Sequence, residues 1–166
     1  MKTNFLILFL FCQFQVLTQT VDTLSARQLY AKADILQKSN QDDALATIQM
    51  GIDKAIRLKD SSGIGLGYNE KGTLLTNMGN FEEAKLNLYA ALNLQKELKD
   101  TCRMASIYNN IVFLNIQKGE RGTAFKNLEE AFRLLELGCS SKQILGEAFI
   151  HKGIILSQLI KNLDLY

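Results

Sequence analysis

The chain has 166 residues, of which 47% are apolar and 22% are charged, and its formal net charge is +2. This size and balance describe one ordinary globular domain. Lysine and arginine are interleaved with aspartate and glutamate, so the chain lacks the basic stripe of a nucleic-acid-binding protein and we expect no nucleic-acid partner. Because proline breaks helices, the absence of any proline is consistent with a chain that is helical nearly throughout.

The first twenty residues differ in composition from the rest of the chain. Lys2 precedes an apolar stretch from Phe5 to Leu17, which at about 13 residues is too short to span a bilayer. A positive residue followed by such a stretch is typical of a secretory signal peptide. We therefore predict a signal peptide over 1–20, cleaved after Thr18 or Thr20, and a helical domain over 21–166 that is secreted, either periplasmic or associated with the cell envelope. An uncleaved anchor and a buried first helix are the alternatives.

Apolar residues recur at helical spacing after residue 20, and this pattern predicts seven helices. The predicted ranges are 23–38, 41–58, 62–78, 81–98, 103–118, 121–137 and 142–160. Short turns between helices imply antiparallel neighbours, so each successive pair of helices forms a helical hairpin. One hairpin cannot bury its apolar face alone, whereas a stack of hairpins forms a continuous core.

The predicted turns contain residues that end or begin helices. Gly79 and Gly119 each follow a helix directly, at a position where a left-handed backbone conformation is common. Four of the predicted helices follow a residue whose side chain can cap a helix N-terminus. The predicted N-caps within hairpins are Asn40 and Asn80, and those between hairpins fall within Asp60-Ser61-Ser62 and Asp100-Thr101.

Many residues recur at an interval of 40. Ala44, Ala84 and Ala124 occupy equivalent positions, and the pair Tyr68-Asn69 recurs 40 residues later. A fixed period in this range is typical of stacked structural repeats. The repeats cover approximately 23–60, 61–100 and 101–140, with a partial unit over 141–166.

The residues inside each unit resemble the tetratricopeptide repeat. The second unit matches the large-and-small pattern of that family closely and reads Tyr68, Gly72, Leu75, Gly79, Phe81, Ala84, Leu88 and Ala91. The resemblance implies an all-α, right-handed solenoid of antiparallel helical hairpins, here three repeats and a final helix. The chain departs from the family in its longer period, since about 34 residues is usual, and in lacking the closing proline. This longer variant looks like the repeats of bacterial envelope and sensor proteins.

The resemblance also implies a kind of function. In this family the first helix of each hairpin lines a concave groove that binds a protein or a peptide. The groove positions carried over to this chain are Leu29, Ala33, Leu36, Asn69, Thr73, Thr76, Asn77, Asn109, Phe113, Ile116 and Gln117. Side-chain amides suit the backbone of an extended peptide, because they donate and accept hydrogen bonds at once. The alternative is that these are ordinary surface residues of a scaffold whose partner binds elsewhere.

Some members of the family bind C-terminal carboxylates through basic and asparagine residues of the groove. The corresponding positions here include Leu29, Ala33 and Glu70. These side chains cannot form that clamp, so we expect no binding of this type.

No motif in the sequence predicts an enzyme, a metal site or a cofactor. His151 is the only histidine, and it lacks the accompanying cysteine, histidine or carboxylate ligands of a zinc site. No Ser-His-Asp set and no phosphate-binding loop is present. Gly63, Gly65 and Gly67 suggest a nucleotide loop by composition, but they lie at a helix start in the repeat register, so we interpret them as close packing between helices. We expect His151 to be a surface or packing residue.

Two cysteines remain after removal of the predicted signal peptide, because Cys12 lies within it. Secreted proteins often pair their cysteines, and the remaining two are Cys102 and Cys139. Stacked helix pairs lie about 8–10 Å apart, whereas a disulfide needs Cα atoms within about 7 Å. This spacing favours two free loop thiols, and a disulfide requires that flexible loops close the gap.

The last predicted helix is apolar nearly all round, which is typical of a buried helix. One of its faces would cover the third repeat and the other would be exposed, and a large exposed apolar patch marks an interface. We expect this face, with Ile150, Ile154 and Leu159, to be covered by a continuation of the array, a second copy or another partner.

Taken with the resemblance, these patterns predict a non-enzymatic scaffold that binds a protein or peptide outside the cytoplasm. One alternative is the sensory portion of a larger bacterial signalling protein, such as a histidine kinase or a transcriptional regulator. A third reading is an accessory subunit of an envelope enzyme.

Overall fold

A computed structural model of the chain describes residues 24–163. These residues form seven α-helices and no strand, so the fold is all-α. The helices are α1 (Ala26–Leu36), α2 (Gln41–Arg57), α3 (Ser61–Asn77), α4 (Phe81–Glu97), α5 (Thr101–Gln117), α6 (Arg121–Glu136) and α7 (Lys142–Leu163). Each helix begins and ends within about three residues of its predicted range. The predicted signal peptide lies outside the described residues and stays a prediction.

Side chains cap the start of most of these helices. Ser25 and the side chain of Gln28 form a reciprocal capping box at the start of α1. The side chains of Asn40, Asp60 and Asp100 accept hydrogen bonds from backbone N–H groups in the first turns of α2, α3 and α5. Such caps satisfy N–H groups that have no partner within the helix. Asn80, the fourth predicted cap, makes no side-chain hydrogen bond of this kind.

Helices α2, α3, α4 and α5 all end in the same backbone motif. The chain turns through one residue with positive φ, and the next residue donates its backbone N–H to a carbonyl five residues earlier, at 2.8–3.1 Å. This is the Schellman arrangement. The residues at positive φ are Lys59 (55°), Gly79 (80°), Lys99 (54°) and Gly119 (75°). The two glycines adopt the predicted conformation, whereas the two lysines adopt it at the expense of a crowded Cβ.

Replacing a lysine at these turns by glycine should stabilise the protein. We expect Lys59→Gly and Lys99→Gly each to raise the free energy of unfolding by up to about 1 kcal/mol, because glycine has no Cβ to crowd in the left-handed region. Lys85→Gly, in the middle of α4, is the matched control and should lower it by about 1 kcal/mol. Urea denaturation measures all three. Destabilisation at all three positions would contradict the strain argument.

Small residues set the distance between the two helices of each hairpin. Ala44, Ala84 and Ala124 are all fully buried, with 0% of their surface exposed. In the second hairpin, a Cβ placed on Gly72 would lie 2.6 Å from Cγ of Leu88 and 3.1 Å from the carbonyl oxygen of Ala84. Only glycine fits there without displacing α4. The repeated small residues therefore mark the line along which the helices touch.

The glycines at the start of α3 pack against neighbouring helices, as interpreted from the sequence. Tyr30 of α1 lies against Gly51 of α2 and Gly67 of α3, where any Cβ would overlap its ring. The Tyr30 hydroxyl donates a hydrogen bond to the carbonyl oxygen of Gly63 at 3.0 Å. Gly65 faces the buried amide of Gln95 in α4 in the same way. These glycines admit large side chains from both neighbours.

The helices are arranged in two rows. Each helix packs against the next one in the chain, and in addition α1 contacts α3, α3 contacts α5, and α5 contacts α7. Among the described helices, α2, α4 and α6 make no such contacts with one another. The first helices of the hairpins therefore form one continuous layer, and the second helices form a more widely spaced layer on its other side.

The apolar core runs from each hairpin into the next. Leu74 of α3 belongs to the buried cluster of the first hairpin around Ile48. Ile111 of α5 packs with Leu88 of the second hairpin, and Ile155 of α7 packs with the third. Each hairpin thus depends on its successor for part of its burial.

A disulfide joins Cys102 to Cys139. The Cα atoms of the two residues are 4.9 Å apart, so the interhelical spacing that favoured free thiols does not apply to them. The reason is their position: Cys102 lies in the first turn of α5, whereas Cys139 lies beyond the end of α6, after Gly138 with its φ of 130°. The bond ties the start of the third hairpin to the loop before α7.

Removing this disulfide should destabilise the protein strongly. The bond closes a loop with a sequence separation of 37 residues, for which chain entropy suggests a loss of about 2–4 kcal/mol. We expect a Cys102→Ala/Cys139→Ala variant to lose this amount in urea denaturation. A thiol count on the denatured, unreduced protein is the control and should find neither of these two cysteines free. Two reactive thiols in that assay would contradict the bond.

Candidate functional site

The open side of the layer formed by α1, α3, α5 and α7 carries polar and aromatic groups contributed by several helices. We call it the first-helix face. It is built from side chains that are partly or fully exposed on these helices. Its members are Asp34, Gln37, Asn69, Glu70, Thr73, Asn77, Asn110, Phe113, Gln117 and His151.

The structure divides the eleven predicted groove residues into two groups. Five are buried and cannot line an open surface, which corrects the sequence prediction for them. The buried ones are Leu29, Ala33, Thr76, Asn109 and Ile116. The ones with exposed or partly exposed side chains are Leu36, Asn69, Thr73, Asn77, Phe113 and Gln117.

The buried positions contribute to the fold because neighbouring first helices pack against one another, and their polar side chains form hydrogen bonds within the structure. Asn109 donates a hydrogen bond from Nδ2 to the carbonyl oxygen of Ile144 in α7, at 2.9 Å. The Thr76 hydroxyl donates to the carbonyl oxygen of Gly72 in its own helix, also at 2.9 Å. Side chains that point along the layer meet the next first helix, and only those that point out of the layer stay open.

The first-helix face holds an amide pair between α3 and α5 and an aromatic pair between α5 and α7. Asn110 donates a hydrogen bond from Nδ2 to Oδ1 of Asn69 at 2.8 Å. The rings of Phe113 and His151 are stacked, with centroids 6.2 Å apart and an interplanar angle of 19°. Neither Asn110 nor His151 was among the predicted groove residues. The available signal was an interval of 41 residues, rather than 40, linking Asn69, Asn110 and His151.

His151 is a packing residue in a largely buried environment. Burial lowers the pKa of its imidazole, and the nearby carboxylate of Glu147 opposes this shift. Its buried Nδ1 makes no hydrogen bond with the described residues. A neutral ring is therefore favoured at this position, where it lies against Phe113.

An acidic cleft lies at the other end of the first-helix face, between α1 and α3. It has a volume of about 140 Å³ and is lined by residues that include Tyr30, Asp34, Glu70, Thr73 and Asn77. Burial raises the pKa of the Glu70 carboxyl, and the negative charge of Asp34 raises it further. Glu70 was not among the predicted groove residues, although its carboxylate argued against a clamp for C-terminal carboxylates.

A second, apolar groove lies between α6 and α7, away from the first-helix face. Its volume is about 330 Å³, and Phe132, Leu135, Leu145 and Phe149 provide its apolar lining beside the disulfide. Phe132 and Phe149 meet edge to face, with ring centroids 5.2 Å apart. This groove continues onto the exposed side of α7.

No protein-family model, no curated protein and no solved structure matches this chain. Among residues 24–163, no group of three or more His, Cys, Asp or Glu side chains could hold a metal ion. None of the helices described above is long and apolar enough to cross a membrane.

The raised pKa of Glu70 predicts a stability that depends on pH. Because the folded protein holds this proton more tightly than the unfolded chain does, Glu70 destabilises the fold progressively as pH rises above the ordinary carboxyl range near 4.3. Glu70→Gln should therefore raise the melting temperature at pH 7.5 and have a much smaller effect at pH 4. Glu129→Gln, an exposed carboxylate on α6, is the control. Equal gains at both pH values would contradict the assignment.

Proposed function

We propose that this chain is a tetratricopeptide-like, right-handed α-solenoid and that it acts as a non-enzymatic scaffold. Its first-helix face binds an extended segment of a protein or peptide. The main support for the proposal is the row of side chains on α1, α3, α5 and α7 that remain exposed or partly exposed instead of being buried in the core. A segment lying across these helices would meet each of them in turn.

The repeat architecture is supported by three independent features of the helices. Ala44, Ala84 and Ala124 recur at the same buried position in three hairpins. The turns after α2 to α5 share one backbone motif. The first helices contact one another and the second helices do not, which is the arrangement expected when first helices lie on the concave side of a curved stack.

The side chains of the first-helix face are suited to binding a peptide backbone. They place few requirements on the side chains of that peptide. Amide groups such as Asn69, Asn77 and Gln117 can donate to a peptide carbonyl and accept from a peptide N–H. The aromatic pair of Phe113 and His151 offers an apolar contact beside them. Neither a nucleophile with an adjacent base nor a metal cluster accompanies these groups in the described residues. Binding without catalysis is the function that this set favours.

A location outside the cytoplasm is part of the proposal. The disulfide between Cys102 and Cys139 supports it, because disulfides persist in oxidising compartments and are rare in the cytosol. The apolar stretch from Phe5 to Leu17 supports it independently as a signal-peptide pattern.

Selection from a library of displayed linear peptides, with the purified protein as bait, tests the binding proposal. The double variant Asn69→Ala/Phe113→Ala should weaken a selected peptide at least about tenfold, which is roughly 1.4 kcal/mol. It removes one amide and one aromatic group from the face. Fluorescence polarisation measures the Kd, and circular dichroism shows whether the variant is folded.

The matched control is Asn93→Ala/Tyr89→Ala on α4. It also removes one amide and one aromatic group, both exposed on a second helix, and should leave the affinity unchanged. An equal loss in both variants, or a loss in the control alone, would contradict the first-helix face as the binding surface. A selection that enriches no peptide would contradict peptide binding itself.

A further inference from the structure

The acidic cleft between α1 and α3 has the size of a pocket for one side chain. Its volume is about 140 Å³, whereas a pocket that takes a whole small molecule usually has about 300–1,000 Å³. A cavity of about 150 Å³ holds a molecule as large as benzene. Because the cleft lies at one end of the first-helix face, a side chain of a segment bound along that face would reach it.

The buried part of the cleft lining is apolar. Ala33 of α1, Ile48 of α2 and Leu74 of α3 line the cleft, each with at most 3% of its surface exposed. Tyr30 lines it as well, and its hydroxyl already donates a hydrogen bond to the carbonyl oxygen of Gly63. Tyr30 therefore offers the cleft its ring rather than a donor. An aliphatic stem would bury its apolar surface against this part of the lining.

The polar part of the lining has more acceptors than free donors. The Thr73 hydroxyl donates its proton to the carbonyl oxygen of Asn69 at 2.9 Å. Gln37 donates a hydrogen bond from Nε2 to the Asp34 carboxylate. An ionised carboxylate offers about four acceptor sites, so this bond leaves Asp34 able to accept others, and Glu70 is a second carboxyl in the same cleft. A ligand that only donates hydrogen bonds matches this set.

The negative charge of the cleft is partly shielded from water. Asp34 is exposed, whereas Glu70 is partly buried. Burial raises the pKa of the Glu70 carboxyl, the charge of Asp34 raises it further, and a hydrogen bond from the Asn69 side chain lowers it. Burial and a like charge both disfavour the ionised carboxyl, and a positive charge beside it would oppose them. The electrostatics of the cleft therefore favour a cation.

From the size, the apolar lining and the surplus of acceptors, we propose that the acidic cleft binds one lysine or arginine side chain of the segment on the first-helix face. Both side chains carry donors and no acceptors, and both can bury an apolar stem while the charged end stays near water. The stem would lie against Ala33 and Leu74, and the charged end beside Asp34 and Glu70. This inference rests on the proposed function and adds a basic residue at one fixed position of the bound peptide.

The sequences of selected peptides give the first test. Peptides enriched on the purified protein should share one lysine or arginine at a fixed position. Replacing that lysine by norleucine, or that arginine by citrulline, removes the charge and keeps the stem, and should raise Kd at least about tenfold. Enriched peptides without a shared basic residue would overturn this proposal and leave peptide binding standing. A selection that enriches no peptide would contradict the proposed function and this inference with it.

Variants of the cleft test whether the basic residue lies there. Asp34→Asn/Glu70→Gln should weaken the unmodified peptide at least about tenfold by fluorescence polarisation, and should bind the norleucine or citrulline peptide within about twofold of it. The matched control is Glu97→Gln/Glu129→Gln, which removes two exposed carboxylates from α4 and α6 and should leave both affinities unchanged. Circular dichroism shows whether each variant is folded.

Two results of this comparison would overturn the proposal. An equal loss in the cleft variant and in the control would mean that overall charge, rather than the cleft, attracts the peptide. A cleft variant that still distinguishes the charged peptide from the neutral one at least about tenfold would mean that the basic residue binds elsewhere.

Discussion

At Gly72 the two helices of the second hairpin approach so closely that any side chain would overlap Leu88. In the other two hairpins, Ala44 and Ala124 stand at the position of Ala84 and are likewise fully buried. Because the hairpins are narrow, each leaves part of its apolar surface uncovered, and the next hairpin must cover it. This is why Leu74 and Ile111 belong to clusters shared with the preceding hairpin. Burial within the hairpins thus leads directly to contact between the first helices.

Contact between first helices decides which polar side chains remain available. Asn109 lies in the path of α7 and is used to bind the backbone at Ile144. Its neighbour Asn110 points out of the layer and reaches Asn69 instead. Asn109 and Asn110 are adjacent in α5, so the rotation of the helix by one residue separates an amide that is used in the fold from an amide at the surface, where a ligand would bind. The chemistry of the first-helix face is a consequence of packing, since the core takes every side chain that points along the layer.

Local features could be predicted from the sequence, because helices and turns depend on nearby residues. The apolar spacing located all seven described helices, and Gly79 and Gly119 adopt the predicted left-handed conformation. Features that depend on how helices face one another could not. Counting 40 residues from Asn69 leads to Asn109, whereas the residue of α5 that forms a hydrogen bond with Asn69 is Asn110, at an interval of 41. The pairing of Cys102 with Cys139 depends on the path of a loop, which axis spacing does not describe.

The two ends of the first-helix face differ in charge, and this difference would orient an extended ligand. The cleft between α1 and α3 carries the carboxyls of Asp34 and Glu70. The opposite end carries Phe113 and His151, and burial lowers the pKa of the imidazole there, which favours its neutral form. If an extended peptide binds as proposed, its basic groups would be favoured at the first end and its apolar side chains at the second. The amides between the ends can bind a backbone running in either direction, so the ends, rather than the centre, would decide which way a peptide lies.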